Sequence, residues 1–245
     1  MCFTVAIVRN NQLEIASRYY DSLPPKFDKR NNLPELPIYY FVSGFSHPTL
    51  QIIKQDGVFQ YNWGLIPSWI KDIQSANDIR SKTLNAMGET VFEKPSFKKS
   101  IINQRCILPV TGFYEWRDIN AVKYAYLIHA TENEIFSLAS IYDTWIDRNT
   151  GEIKNTFSII TTPANSLMEK IHNLKKRMPL ILSPEDESKW LDKDLNSEQI
   201  KKLIKPFNAQ NMSAYTISRA ANNARNERNV AEILEKVDYP ELLYV

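Results

Sequence analysis

A succession of short β-rich runs through the middle of the chain restricts its fold more than any other feature. Residues 106–108, 114–116, 124–129, 135–142 and 156–161 are dominated by β-branched, aromatic and aliphatic side chains, the types that suit a pleated, half-buried surface. Asn149-Thr150-Gly151 marks a turn among them. Earlier runs at 3–8, 38–42, 50–53 and 58–63 read as further strands, the last two joined by an Asp56-Gly57 hairpin turn. Helical patterns fall at 12–20, 96–103 after Pro95, 164–171, 184–191, 197–204 and 230–236. Ser183-Pro184 and Ser197 stand where N-terminal caps are expected. The segment from Pro24-Pro25 to Pro37 reads as a surface excursion, because apolar residues continue through it. The expectation is a single α+β domain over residues 1–245, built on a curved antiparallel sheet or pseudo-barrel with peripheral helices.

Composition removes several function classes. Six glycines in 245 residues, with no G-x-G-x-x-G or G-x-x-x-x-G-K-[ST], argue against phosphate loops and doubly wound nucleotide folds. Two cysteines, Cys2 and Cys106, and three histidines, His47, His129 and His172, lack the spacing of a disulfide framework or a metal site. No metal or other cofactor is therefore expected. No run approaches the roughly 18 apolar residues of a membrane span, and the first residues lack a signal-peptide pattern. A cytoplasmic protein with reduced thiols is the expectation. The net charge is only +2, but positive charge clusters at Lys94, Lys98, Lys99 and Arg105, at Lys175-Lys176-Arg177, and at Lys201, Lys202 and Lys205.

A few residues have chemical potential beyond packing. Removal of Met1 would give Cys2 an amine and a thiol on one residue, with ordinary pKa values near 8 and 8.5. Such a 1,2-aminothiol closes on an aldehyde to a five-membered thiazolidine; the competing reading is a small hydrophobe heading a strand. Glu115 lies among aromatics in Gly112-Phe113-Tyr114-Glu115-Trp116, where burial would raise its pKa toward acid/base use and exposure would leave it inert. His172 follows a helical stretch and precedes Lys175-Lys176-Arg177, either as a favourable helix-end charge or as part of a phosphate-receiving, proton-moving site. Asn85 reads as a turn residue when taken alone. Trp63 and Trp69 fit either a core or a platform on which unpaired bases stack.

Read in order, Met1-Cys2, Trp63-Gly64-Leu65-Ile66-Pro67 with Trp69, Asn85-Ala86 with Glu89-Thr90, Arg105-Cys106-Ile107 with Pro109, Gly112-Phe113-Tyr114-Glu115-Trp116, Thr161-Thr162 with Ala164-Asn165, and His172 before Arg177-Met178-Pro179 resemble one family. It is the SOS-response-associated peptidase (SRAP) family of abasic-site processing proteins. The resemblance implies covalent capture of abasic sites in single-stranded DNA, or at a single-strand/duplex junction, during the DNA damage response. It makes Cys2 the nucleophile that forms the thiazolidine, Asn85 a placing residue, Glu115 the acid/base, and His172 the group assisting sugar opening and adduct reversal. It also implies an autocatalytic peptidase step that removes Met1. Trp63, Trp69, Lys98, Thr161 and Arg177 are then the expected DNA contacts, and the protein is expected to be a monomer associated with the nucleoid on damaged DNA.

The chain departs from the family pattern in three places. Phe3-Thr4 replaces the common Gly-Arg after cysteine, Met87 replaces the arginine of Asn-Ala-Arg, and Asn173-Leu174-Lys175-Lys176 lengthens the segment between His172 and Arg177. Two further functions fit the residues alone: an N-terminal-nucleophile cysteine hydrolase or peptidase using Cys2, and a noncovalent single-stranded nucleic-acid binder.

Overall fold

The computed structural model describes residues 2–20 and 35–242. Pro24-Pro25 and Met1 lie outside the described residues. In chain order the elements are β1 (Thr4–Ile7), α1 (Gln12–Tyr19), β2 (Tyr39–Ser43), β3 (Thr49–Lys54), β4 (Gly57–Trp63), α2 (Ile73–Arg80), β5 (Asn85–Met87), α3 (Ser100–Asn103), β6 (Arg105–Val110), β7 (Gly112–Ile119), β8 (Val122–Ala130), β9 (Phe136–Ile146), β10 (Ile153–Pro163), α4 (Ser166–Ile171), β11 (Arg177–Pro179), β12 (Ile181–Leu182), α5 (Pro184–Leu191), α6 (Ser197–Leu203) and β13 (Met212–Thr216).

Two sheets organise them. One runs β13-β8-β7-β1-β2. The other closes on itself, because β10 pairs with both β9 and β4 while β4-β3-β6-β9 are successive neighbours. The result is a five-strand barrel, mostly antiparallel, with the β10–β4 contact and the added β5 parallel to β10. This is the α+β pseudo-barrel expected from the strand pattern.

Strand periodicity explains the layers, since alternate side chains face opposite sides of a sheet. Cys106 and Leu108, Phe136 and Leu138, and Phe157 and Ile159 of the barrel join Val5, Phe113 and Ile128 of the open sheet in one core. Ile107, Ala139, Ile141 and Ile160, one residue out of phase, pack instead with Ile15 of α1, Trp190 of α5 and Ile200 of α6. The far face of the open sheet, with Ala6, Tyr114 and Leu127, is covered by Ile217, Ala221 and Ile233 from the chain's last segment.

Several local expectations need correction. The helix expected over 96–103 is regular only over Ser100–Asn103; turns precede it, in which the Lys94 carbonyl accepts from both the Phe97 and Lys98 N–H at 2.9 and 3.0 Å. The expected helix at 230–236 is a 3-10 turn at Ala231–Leu234, drawn out by the Lys236 bridge to Ile217 and the Val237 N–H bond to Thr216. Ser183 makes no side-chain cap bond. Asn196, not Ser197, caps α6, in a reciprocal box with Gln199. Arg105 leaves the expected basic surface cluster: its guanidinium is buried and donates to the carbonyls of Trp190 (2.8 Å) and Ile101 (2.9 Å).

Candidate active site

The strand–strand register gathers the chemistry. Val5 on β1 is opposite Phe113 on β7 in an antiparallel pair, so continuing that register by two residues sets Phe3 beside Glu115. Glu115 has the parity of Phe113 and therefore faces the shared core side, where only 4% of its surface is exposed. Cys2, immediately before β1, is fully buried in the same core; its thiol points to the Thr4 carbonyl at 3.9 Å. His172 ends α4, a helix started by Asn165, whose side chain accepts the Met168 N–H.

From there the imidazole reaches back over β7, with Nε2 3.7 Å from Glu115 Oε2. Its other nitrogen lies 2.8 Å from the Arg177 carbonyl oxygen. A carbonyl only accepts, so Nδ1 carries the hydrogen and the lone pair of Nε2 faces Glu115.

The segment between His172 and Arg177 is a closed turn. Lys176, at φ 48°, donates its N–H to the His172 carbonyl (2.8 Å). Asn173 exchanges two bonds with the Asp118 backbone on β7, at 2.7 and 3.0 Å. These ties fix the turn on the end of β7.

Burial dominates the electrostatics. It pushes the Glu115 carboxyl up to about 7 and the His172 imidazole down to about 4. Both groups are thereby driven toward uncharged forms: a carboxylic acid able to give a proton beside an imidazole able to take one. The Cys2 thiol is raised, first by burial and then by the negative charge of Glu115, so the resting sulfur is protonated. Glu115 and His172 border a cleft of about 350 Å3 lined also by Phe3, Trp116, Lys175 and Arg228. Phe3 is braced there against Phe45, with ring centroids 5.0 Å apart.

Asn85 opens β5, opposite Ile159 of β10. Its amide oxygen and nitrogen are both buried and make no hydrogen bond among the described residues. Leaving such groups unpaired costs about 1–3 kcal/mol, which marks the amide as held for something other than stability.

The expected DNA contacts separate into surface and core. Trp69 is 51% exposed and leans on the turn carrying Lys98, donating Nε1–H to the Pro95 carbonyl at 3.4 Å. Arg177 is half-buried; it pairs with Glu89 and donates to the Thr161 carbonyl (2.9 Å) and hydroxyl (3.0 Å). Trp63 requires correction. It is fully buried, stacked on Phe157 and bonded through Nε1 to the Leu84 carbonyl at 2.8 Å, so its ring is core and offers no face to a base. Thr161 is likewise fully buried, its hydroxyl engaged by Arg177. Sequence reasoning missed Lys123 and Arg228, which reach the cleft from β8 and from the last segment. Lys123 stands alone in its stretch and Arg228 follows Arg225 in an ordinary polar run, so no motif marks either. Among the described residues, no group of three or more His, Cys, Asp or Glu could hold a metal, and no helix is long and apolar enough to cross a membrane.

Comparison with known proteins accords with this geometry. The family model for SOS response associated peptidase (SRAP) matches residues 1–224. The abasic site processing protein YoqW of Bacillus subtilis is 33% identical over 230 residues, covering 88% of this chain and 95% of the relative. YoaM of the same organism is 37% identical over 175 residues, 71% of this chain and 73% of the relative. Chicken HMCES, also named an abasic site processing protein, is 31% identical over 67% of this chain, which spans only 54% of that longer relative. A crystal structure of a Bacteroides thetaiotaomicron protein superposes with a TM-score of 0.86 at 41% identity, covering 96% of this chain and all of that one. With a family match over most of its length and the same fold in a close structural relative, this chain belongs to the SRAP family.

Proposed function

We propose that this protein captures abasic sites in single-stranded DNA through a covalent bond to Cys2. The observation that carries the reading is the buried Glu115–His172 pair, 3.7 Å apart, lining a cleft next to the strand led by Cys2. In this reading the Met1–Cys2 bond is first hydrolysed, autocatalytically, to free the Cys2 amine.

An abasic sugar is mostly a closed hemiacetal. His172 Nε2 takes the proton of its anomeric hydroxyl while Glu115 protonates the ring oxygen, which opens the ring to the aldehyde. The Cys2 amine adds to the aldehyde carbon. His172 returns the proton it took to the Glu115 carboxylate 3.7 Å away, Glu115 delivers it to the carbinolamine hydroxyl, and water leaves to give the protonated imine. The sulfur adds to the same carbon as the thiol proton passes to the Glu115 carboxylate. One C–N and one C–S bond form, one water departs, and nothing is oxidised or reduced. Asn85 supplies its unpaired amide to the amine or the sugar. Holding amine and carbonyl together contributes effective molarity. Trp69 offers a stacking face, and Lys98 and Arg177 offer charge to the phosphates, with Thr161 holding the Arg177 guanidinium in place.

The test is a denaturant-stable adduct between Met1-free protein and single-stranded abasic DNA. It should vanish in Cys2→Ser and in protein retaining Met1. No adduct from the processed wild type overturns the proposal. An acyl-enzyme on Cys2 formed from amide substrates would instead indicate a hydrolase, and DNA binding indifferent to Cys2→Ala with no adduct would indicate a noncovalent binder.

A further inference from the structure

The cleft continues past Glu115 and His172 to a second group of side chains with no part in the chemistry above. Lys123, Lys175 and Arg228 line it, with Asp118 as the one carboxylate among them. None of the three cations forms an ion pair among the described residues. Neighbouring contacts hold each of them in place. Asn222 donates to the Lys123 carbonyl (2.8 Å) while accepting the Trp116 indole N–H (2.7 Å). The Lys175 turn is tied to β7 through Asn173. Arg228 donates to the Ala221 carbonyl (3.4 Å) and lies over the Phe41 ring, 4.6 Å from its centroid. These are cations on fixed supports along an open cleft.

Among this second group, three positive side chains against the one carboxylate of Asp118 leave an excess of two positive charges. A phosphodiester brings one negative charge; a phosphomonoester brings close to two near neutral pH. The volume of about 350 Å3 is at the small end for ligand sites and suits one sugar phosphate.

We infer that Lys123, Lys175 and Arg228 form a phosphomonoester subsite, so that the preferred partner of Cys2 is a 5-phosphorylated deoxyribose aldehyde. The inference rests on the aldehyde capture proposed above and names the ligand class of that same cleft. Two sources carry this chemistry: the free sugar phosphate, and an abasic residue left at the 5′ end of a strand. Both present a terminal phosphate attached to the sugar whose aldehyde Cys2 attacks, and both lose one water on thiazolidine closure.

The experiment measures adduct formation on Met1-free full-length protein by intact mass, with 2-deoxyribose 5-phosphate and with 2-deoxyribose. Wild type should react on the order of tenfold faster with the phosphorylated sugar, as expected for charge-assisted contacts. In Lys123→Gln/Arg228→Gln that ratio should fall to near one, while the rate with plain deoxyribose stays unchanged. Lys175 is left in place in this variant because its charge also acts on Glu115 and His172. A ratio near one in wild type, or a ratio preserved in the double variant, overturns the inference; so does reaction with abasic DNA alone and with neither sugar. Failure with abasic DNA and both sugars overturns the capture reading itself. Oligonucleotides with a 5′-terminal phosphorylated abasic residue or an internal one distinguish the sources. Terminal over internal preference, lost in the double variant, indicates a strand end; preference confined to the free sugar indicates a metabolite-sized ligand.

Discussion

His172 Nε2 stands 3.7 Å from Glu115 Oε2, and burial disfavours the charged form of each partner. The rate of adduct formation should record this. Capture needs Glu115 protonated, which holds below about 7, and the Cys2 amine unprotonated, which holds above about 8 for an ordinary α-amine. The pH–rate profile should therefore be a bell with its top between these values. Glu115→Gln should slow capture by about 100-fold or more and lose the alkaline limb, leaving a rate that rises and levels. A bell unchanged in Glu115→Gln would remove the carboxyl from the mechanism.

Stability should show the same pair through opposing slopes. The folded state keeps the Glu115 proton up to about 7, above the ordinary carboxyl value of 4.5, so this group's contribution falls as pH rises through that window. His172 resists protonation down to about 4 in the folded state, against 6.5 ordinarily, so its contribution falls as pH drops. Between 4.5 and 6.5 the two oppose each other. Thermal melts across pH should show Glu115→Gln losing stability toward acid and His172→Gln losing it toward neutrality, each more steeply than wild type.

Asn85 should separate function from stability. Its amide makes no hydrogen bond among the described residues, so Asn85→Ala gives up no native bond and should leave the melting temperature equal or higher. Adduct formation in the same variant should slow by about tenfold or more. A large loss of stability would mean that the amide serves the fold.

The two tryptophans should part company. Trp63→Ala removes a fully buried ring and its bond to Leu84, costing about 3–5 kcal/mol in denaturant melts. Trp69→Ala should stay within about 0.5 kcal/mol in stability while weakening single-stranded DNA binding by about 1–3 kcal/mol in titrations.

Much of this architecture is written locally. β-Rich composition at 106–108 and 156–161 marks barrel strands, and Cys2, Glu115 and His172 each stand in a short motif that marks them for chemistry. What sequence conceals is three-dimensional. Nothing near Trp63 says that Phe157 will cover its ring, and Lys123 and Arg228 share a cleft only because the last segment folds across the open sheet. The brief strands β5, β11 and β12 hold too few residues for a pattern; pairing with β10 and β9 makes them strands.

The turn from His172 to Arg177 is fastened to itself, imidazole to carbonyl at one point and amide to carbonyl at another. The aim of the base is thereby set by main chain, whatever number or kind of residues bulge between the two fastenings. A molecule built this way can redraw the mouth of its cleft by lengthening one small loop while the reacting groups beneath keep their bearings. Choice of substrate and chemistry are, in that sense, separately editable parts of one hairpin-sized device.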